Sequence, residues 1–229
     1  MIHIHDTGDK IIEPTCTEKG YTLHGCTCDT SAYKDTYTPA LGHEFVDGKC
    51  TRCGIDVLDA FTDVKRDSYC ADAVQWAVAN GITKGTDTTH FSPNATCTRD
   101  QVVTFLWRAA GEPTVGGNVG FVDVAPGSYC YEAVKWAVAN GITNGPDATH
   151  FSPNATCTRG QVVTFMYRAE GEPAVGGSNG FVDVAPGSYC YEAVKWAVAN
   201  GITKGTDATH FSPNATCTRG QVVTFLYRA

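Results

Sequence analysis

From Phe61 onward the chain repeats itself. A unit of 60 residues starts at Phe61, Phe121 and Phe181, and a period of that size marks supersecondary units that share one core. Between Phe121 and Ala169 the second and third copies differ only where Asn144, Pro146 and Met166 are answered by Lys204, Thr206 and Leu226. Three nearly equivalent surfaces follow. With 42% apolar and 18% charged residues, the composition is that of an ordinary folded chain, so disorder is not the expectation.

Within one copy the pattern predicts two helices joined by an ordered loop. Ser68 is placed to cap the first, whose Ala73, Trp76, Ala77 and Asn80 fall at i, i+3, i+4 and i+7, with Val74 and Val78 widening the stripe. Gly81 stops it, because a glycine there can take the left-handed conformation while Ile82 supplies the apolar contact usual at such ends. The loop from Thr83 to Cys97 carries the turn formers Gly85, Pro93 and Asn94, with Phe91 as the plug that pins it to the core. Thr98 and Gln101 satisfy the S/T-x-x-E/Q capping box of the second helix, and Val102, Val103, Phe105 and Leu106 form its buried face. Gly111 and Pro113 end it. Two helices cannot bury their own apolar face, so the three copies must pack together into a mainly α fold.

The motifs Phe61-Thr-Asp63-Val, Ala73-Val-Gln-Trp76-Ala, Asn80-Gly81-Ile82-Thr83-Lys-Gly85, Phe91-Ser-Pro93 and Thr98-Arg99-Asp-Gln101, with their counterparts in the other copies, resemble the S-layer-homology domain. The resemblance covers residues 59 to 229 and divides them into repeats at 59–111, 119–171 and 179–229, after a small β-rich cysteine module at 1–54. It implies a closed pseudo-threefold bundle that binds secondary cell-wall polysaccharides, often through pyruvylated sugars, in grooves between neighbouring repeats. It also implies a non-enzymatic anchor of a bacterial surface protein. The family's Thr-Arg-Ala-Glu motif carries its binding arginine onto Arg99, Arg159 and Arg219. This chain departs from that motif with Asp100, Gly160 or Gly220 third and Gln101, Gln161 or Gln221 fourth. Asp100 places a carboxylate beside the first arginine, which would weaken that groove for an anion.

The arginines stand out without the family as well. A cation in the first helical turn sits on the wrong end of the macrodipole, whereas free N–H groups, the positive helix end and a guanidinium fork together make an anion site. The competing reading is that Arg99 folds back on Asp63 as a surface ion pair worth under about 1 kcal/mol. The glycine loops, with Gly85, Gly145 and Gly205 beside Lys84, Asn144 and Lys204, either line the same grooves or simply end a helix. Trp76, Trp136 and Trp196 can stack on sugar rings but also fit the inward stripe. His90, His150 and His210 recur without a nucleophile or carboxylate pair and are assigned a structural role. Asn94-Ala95-Thr96 spells a glycosylation sequon that reads here as loop chemistry.

Eleven cysteines fall into two groups. Cys70/Cys97, Cys130/Cys157 and Cys190/Cys217 recur once per repeat, and the favoured reading is a disulfide closing each loop, contributing roughly 3 to 4 kcal/mol. Buried free thiols, or thiols acidified at helix N-termini, are the alternatives. In the first quarter, Lys49-Cys50-Thr-Arg-Cys53-Gly54 looks like a zinc-ribbon knuckle, and Cys26 and Cys28 are expected to complete a four-thiolate structural zinc site with Cys50 and Cys53. Cys16, His24 and His43 compete for those places, and disulfides are the rival chemistry. No cofactor is expected in the repeats.

The net charge of −7, shared between the N-terminal module and the repeats, lacks the basic excess that binding nucleic acid requires. No run approaches the roughly 18 apolar residues that span a bilayer, so membrane insertion is not expected. The first residues, Met-Ile-His-Ile-His-Asp, do not read as an export signal. Because the repeats imply secretion to the bacterial cell surface, that start reads as an internal boundary of a longer protein. A zinc-dependent protein-interaction module and the anchor fragment of a surface hydrolase remain the alternatives. A monomer is the expected state.

Overall fold

The computed structural model describes residues 9–25 and 32–229. Its first part is built of short strands: β1 (Lys10–Ile12), β2 (Gly20–His24) and β3 (Tyr33–Thr38) form an antiparallel sheet in that order, and β4 (Phe45–Val46) pairs with β5 (Lys49–Cys50). The β4–β5 hairpin turns on Asp47 and Gly48, both at positive φ (50° and 77°), the pairing that an Asp-Gly two-residue loop favours. The expected strands at Tyr21–His24 and Tyr33–Thr38 are therefore present. A short α1 (Val57–Ala60), capped by the Asp56 carboxylate, leads into the repeats.

Each repeat contributes two helices: α2 (Ala71–Ala79) and α3 (Arg99–Ala109), then α4 (Tyr131–Ala139) and α5 (Arg159–Ala169), then α6 (Tyr191–Ala199) and α7 (Arg219–Arg228). The stop at Gly81 is a Schellman turn. Gly81 N–H bonds the Val78 carbonyl, Ile82 N–H bonds the Ala77 carbonyl at 2.8 Å, and Ile82 is buried beneath. All three long-loop helices begin in the expected capping box. The first helix of each repeat starts later than expected. Cys70, Cys130 and Cys190 occupy the N-cap position with no side-chain cap bond, while Ser68 ties the preceding turn through its own carbonyl, which accepts from Ala71 N–H.

The repeats bury their faces against one another rather than within themselves. Helix α3 packs on α4 of the next repeat, α5 on α6, and α7 on α2 of the first, while α3, α5 and α7 also touch one another. Backbone hydrogen bonds close the same circuit: Cys157 N–H donates to the Cys97 carbonyl, Cys217 N–H to Cys157 and Cys97 N–H to Cys217, each at 2.9 Å. The plugs Phe91, Phe151 and Phe211 are fully buried in the same core as Val102, Val162 and Val222.

This ring overturns the expected disulfides. All six repeat cysteines are free, buried thiols. Cys97, Cys157 and Cys217 lie in the inter-repeat backbone ring, and Cys70 packs beside Gly220 at the start of α7, so both members of the first pair face the third repeat. Nor are these thiols acidified by the nearby helix ends: burial pushes Cys97, Cys157 and Cys217 up to about 12. We expect the six to resist alkylation in the native protein and to react fully, without reductant, once it is denatured. Mass spectrometry that finds intra-repeat bridges in folded protein would refute this.

Candidate functional site

Arg99, Arg159 and Arg219 each open a helix, and each side chain crosses to the following repeat. Arg99 Nε donates to the Phe151 carbonyl at 2.9 Å, Arg159 Nε to Phe211 at 2.9 Å, and Arg219 Nε back to Phe91 at 3.0 Å. The guanidinium groups lie against pairs of rings, Arg159 at 4.8 Å from the Phe211 centroid and 5.3 Å from that of Phe225, within the range of cation–π attraction. Nη2 of Arg99 and Arg219 reaches Thr143 and Thr83 Oγ1, each at 3.4 Å. The three side chains are only 4 to 6% exposed, and burial pulls their pKa values below the usual arginine range. None of them makes an ion pair among the described residues.

Asp63 does not partner Arg99. Its two carboxylate oxygens accept from Phe91 N–H at 2.9 Å and Ser92 N–H at 2.7 Å, and Asp123 and Asp183 do the same for their own loops. Each aspartate thus positions the loop whose phenylalanine carbonyl receives the preceding repeat's arginine. Burial would raise the pKa of Asp123, but the Phe151 and Ser152 N–H groups hold it below the usual carboxylate range. The grip also keeps Ser92, Ser152 and Ser212 at positive φ near 58° to 59°, a conformation non-glycine residues rarely take. This role was missed in the sequence, although the Phe-x-Asp-Val motif recurs three times.

The crossing decides which residues share a junction. Arg99 meets the loop holding Thr143, Asn144 and Gly145; Arg159 meets the loop of Lys204 and Gly205; Arg219 meets that of Lys84 and Gly85. Two junctions therefore pair arginine with a lysine-bearing loop, and one does not. The lysine-free junction also holds Asp100, a buried carboxylate that accepts from the Thr98 hydroxyl, the Gln101 N–H and the Tyr129 hydroxyl. At the equivalent Gly220 a Cβ would stand 2.8 Å from the Tyr69 hydroxyl. Tyr69, Tyr129 and Tyr189 thus each bring a phenol to an arginine-bearing helix start while remaining about 60% exposed. The thrice-repeated Ser-Tyr-Cys was the sequence signal for them.

Gly85, Gly145 and Gly205 are glycines because the loop passes too close for anything larger. At Gly85 a Cβ would meet the His90 carbonyl at 2.6 Å and the Phe61 ring at 2.7 Å. Their N–H groups bond Thr83, Thr143 and Thr203 Oγ1 at 3.1 to 3.3 Å and are not free donors. His90, His150 and His210 are tied to Asp87, Asp147 and Asp207 within the same loops. The tryptophans lie elsewhere. Trp76, Trp136 and Trp196 line a cavity of about 250 Å³ with Leu106, Met166 and Leu226, toward the ends of helices that begin at the arginines. An 11-residue helix is about 16 Å long, so the structure does not bring tryptophans and arginines together.

In the N-terminal module, two of the four expected zinc ligands lie among the described residues. Cys26 and Cys28 lie outside the described residues. Cys50 and Cys53 come together with Cys16 and His43, whereas His24 is held by Asp9 at 2.7 Å and Asp35 at 2.8 Å. Beside this cluster, Leu41 to Phe45 and Arg52 form one wall of a groove of about 610 Å³ whose opposite wall includes Thr83, Lys84 and Gly85. No helix among the described residues is long and apolar enough to cross a membrane.

Known proteins share this repeat. The chain is 35% identical over 164 residues to the Surface-layer 125 kDa protein of Lysinibacillus sphaericus, covering 68% of this chain and 13% of that protein. It is 30% identical over 123 residues to a Cell surface protein of Thermoanaerobacter kivui, covering 52% and 16%. It is 29% identical over 109 residues to an Endoglucanase of Bacillus sp. (strain KSM-635), covering 48% and 11%. The chain thus spans only a small fraction of the length of the curated relatives it matches. The family model described as the S-layer homology domain matches residues 60–103, 120–163 and 180–223, and the chain belongs to the S-layer homology domain family.

Proposed function

We propose that the three repeats close as a pseudo-threefold bundle whose junctions bind an anionic secondary cell-wall polysaccharide, so that the chain acts as the non-covalent wall anchor of a secreted bacterial surface protein. One observation carries this reading. Three guanidinium groups are buried at the repeat junctions with no carboxylate in ion-pair contact among the described residues, Asp63, Asp123 and Asp183 acting on them only from farther off, an arrangement that a ligand anion would complete. A carboxylate-bearing sugar suits the guanidinium fork, which can donate two parallel hydrogen bonds. The exposed faces of Tyr69, Tyr129 and Tyr189 supply the aromatic surface at this end of the bundle. The names of the relatives, two surface proteins and a hydrolase, fit a module that attaches different cargoes, and no catalytic role is assigned to these residues. The chain is proposed to work as a monomer.

The junctions are not equal. Those of Arg159 with Lys204 and of Arg219 with Lys84 are the anion sites; that of Arg99, with Asn144 and Asp100, is the weak one. The test is sedimentation of the protein with purified wall polysaccharide before and after removal of its acidic substituents. Binding is expected to be lost on their removal and to weaken as salt rises. Equal binding to both preparations would overturn the reading.

A further inference from the structure

We propose that Cys16, His43, Cys50 and Cys53 bind one structural zinc ion, which holds the N-terminal module together and fixes it against the first repeat. The four ligand atoms all lie within 4.8 Å of one another. Two of their separations are those of a tetrahedral site. Two thiolates bound at about 2.3 Å and about 109° stand about 3.8 Å apart, and a thiolate and an imidazole nitrogen at about 2.05 Å stand about 3.6 Å apart. Cys16 Sγ and Cys50 Sγ are 3.8 Å apart, and Cys53 Sγ and His43 Nδ1 are 3.5 Å apart. A disulfide needs about 2.05 Å. Soft thiolates with one imidazole select zinc over calcium or magnesium, and four protein ligands leave no open position, which marks a structural site.

A second observation is independent of these distances. Among the described residues of the module, the only apolar side chains that are buried are Cys16 and Cys50. Ile11, Tyr33, Tyr37, Leu41 and Val46 are all more than half exposed. A unit of this size without an apolar core needs a staple. The four ligands supply one, because Cys16 precedes β2, His43 precedes β4, Cys50 ends β5 and Cys53 lies in the following turn. Backbone N–H groups of Cys53 and Arg52 also donate to the Cys50 sulfur, fixing the direction in which it faces the ion. The metal would thereby hold the β4–β5 hairpin where Phe45 packs against Phe61, at 6.3 Å between ring centroids, and where the Gly48 carbonyl accepts from Val57 N–H at 2.9 Å. It would also set the wall that His43 and Arg52 present to Lys84 and Gly85.

The experiment uses the full chain, purified reduced with zinc present and then desalted. Metal analysis is expected to find one zinc per chain. Stoichiometric zinc should disappear in Cys16→Ser and in Cys53→Ser, and persist in the double variant Cys26→Ser/Cys28→Ser. Helical circular dichroism reports separately that the repeats stay folded. For the unaltered chain loaded with cobalt(II) instead, the visible d–d bands should show tetrahedral coordination and the thiolate-to-metal charge-transfer band the intensity of three thiolates. That reading does not depend on any variant folding. Absence of stoichiometric zinc, retention of it in Cys16→Ser, its loss in the Cys26/Cys28 variant, or a band intensity of two or four thiolates would each overturn the assignment.

Discussion

The double variant Arg159→Met/Arg219→Met is expected to come away from wall material while keeping the melting temperature of the parent protein. Each arginine is buried, lies against two phenylalanine rings and has no carboxylate partner among the described residues. Methionine preserves most of the stem volume and its contacts with those rings. Its cost is the Phe211 or Phe91 carbonyl left without its donor, about 1 to 3 kcal/mol, and it is offset by removing a desolvated charge that makes no ion pair among the described residues. A simple view of the cap residues Thr158 and Gln161 also predicts an unchanged fold, but for the wrong reason, since the guanidinium is a packed part of the junction. Binding should behave differently. Loss of a charge-assisted hydrogen bond is worth about 1.5 to 3 kcal/mol, roughly tenfold to hundredfold at one junction. Single variants can look nearly normal on intact wall, because two junctions engaging one polymer compensate through avidity. Titration calorimetry with a short acidic wall fragment should therefore show two equivalent sites in the parent and one in either single variant, with Arg99→Met changing little. A folded double variant that binds fragment and wall with unchanged affinity would remove these arginines from the mechanism. Equal losses from all three single variants would remove the distinction drawn from Asn144 and Asp100.

The largest stability effect is expected from Phe211→Ala. Phe211 has no exposed surface, stacks beside Phe181 at 5.9 Å and backs the Arg159 guanidinium. Truncating a fully buried phenylalanine costs about 3 to 5 kcal/mol, which for a protein of this size lowers the melting temperature by roughly 6 to 20 °C. Because α5 and α6 and the returning α7 share the ring, thermal unfolding should shift as one transition rather than shed the third repeat alone. Phe211→Leu is the control: a milder swap of roughly 1.5 kcal/mol keeps the plug and removes the aromatic face, so fragment binding at the Arg159 junction should drop while most of the stability remains. Calorimetric melting of the three proteins checks this. A Phe211→Ala variant that melts within 2 °C of the parent, on the scale expected for a surface change, would mean that the loop is not the plug it looks to be.

Several features were legible because they are local. The Schellman stop at Gly81 follows from one residue's freedom at positive φ and the apolar residue after it, and the capping boxes follow from two side chains three positions apart. The buried faces of α2 and α3 follow from a period of 3.6. Ser68 was misplaced as a cap because a turn that uses its carbonyl instead presents the same residue types. The competing reading gave Asp63 or another acid to Arg99 as a charge partner, whereas the Asp63 oxygens are spent on two backbone donors in a loop 28 and 29 positions on.

The helices, their stops and caps, and the arginine at each helix start were legible because each rests on neighbours within a turn or two, and the repeat because its 60-residue period is written in the residues. Partners, by contrast, were set by packing. Arg159 meets a carbonyl 52 positions ahead and Arg219 one 128 positions behind; Cys97 faces Cys157 and Cys217 across the ring rather than bonding Cys70; and Cys16 and His43 join Cys50 and Cys53 from distant segments. The physical reason is the repetition itself. Three near-identical copies offer every side chain an equivalent partner within its own repeat and in the next, local periodicity does not distinguish the two, and the choice is made by how the helices pack and close on one another.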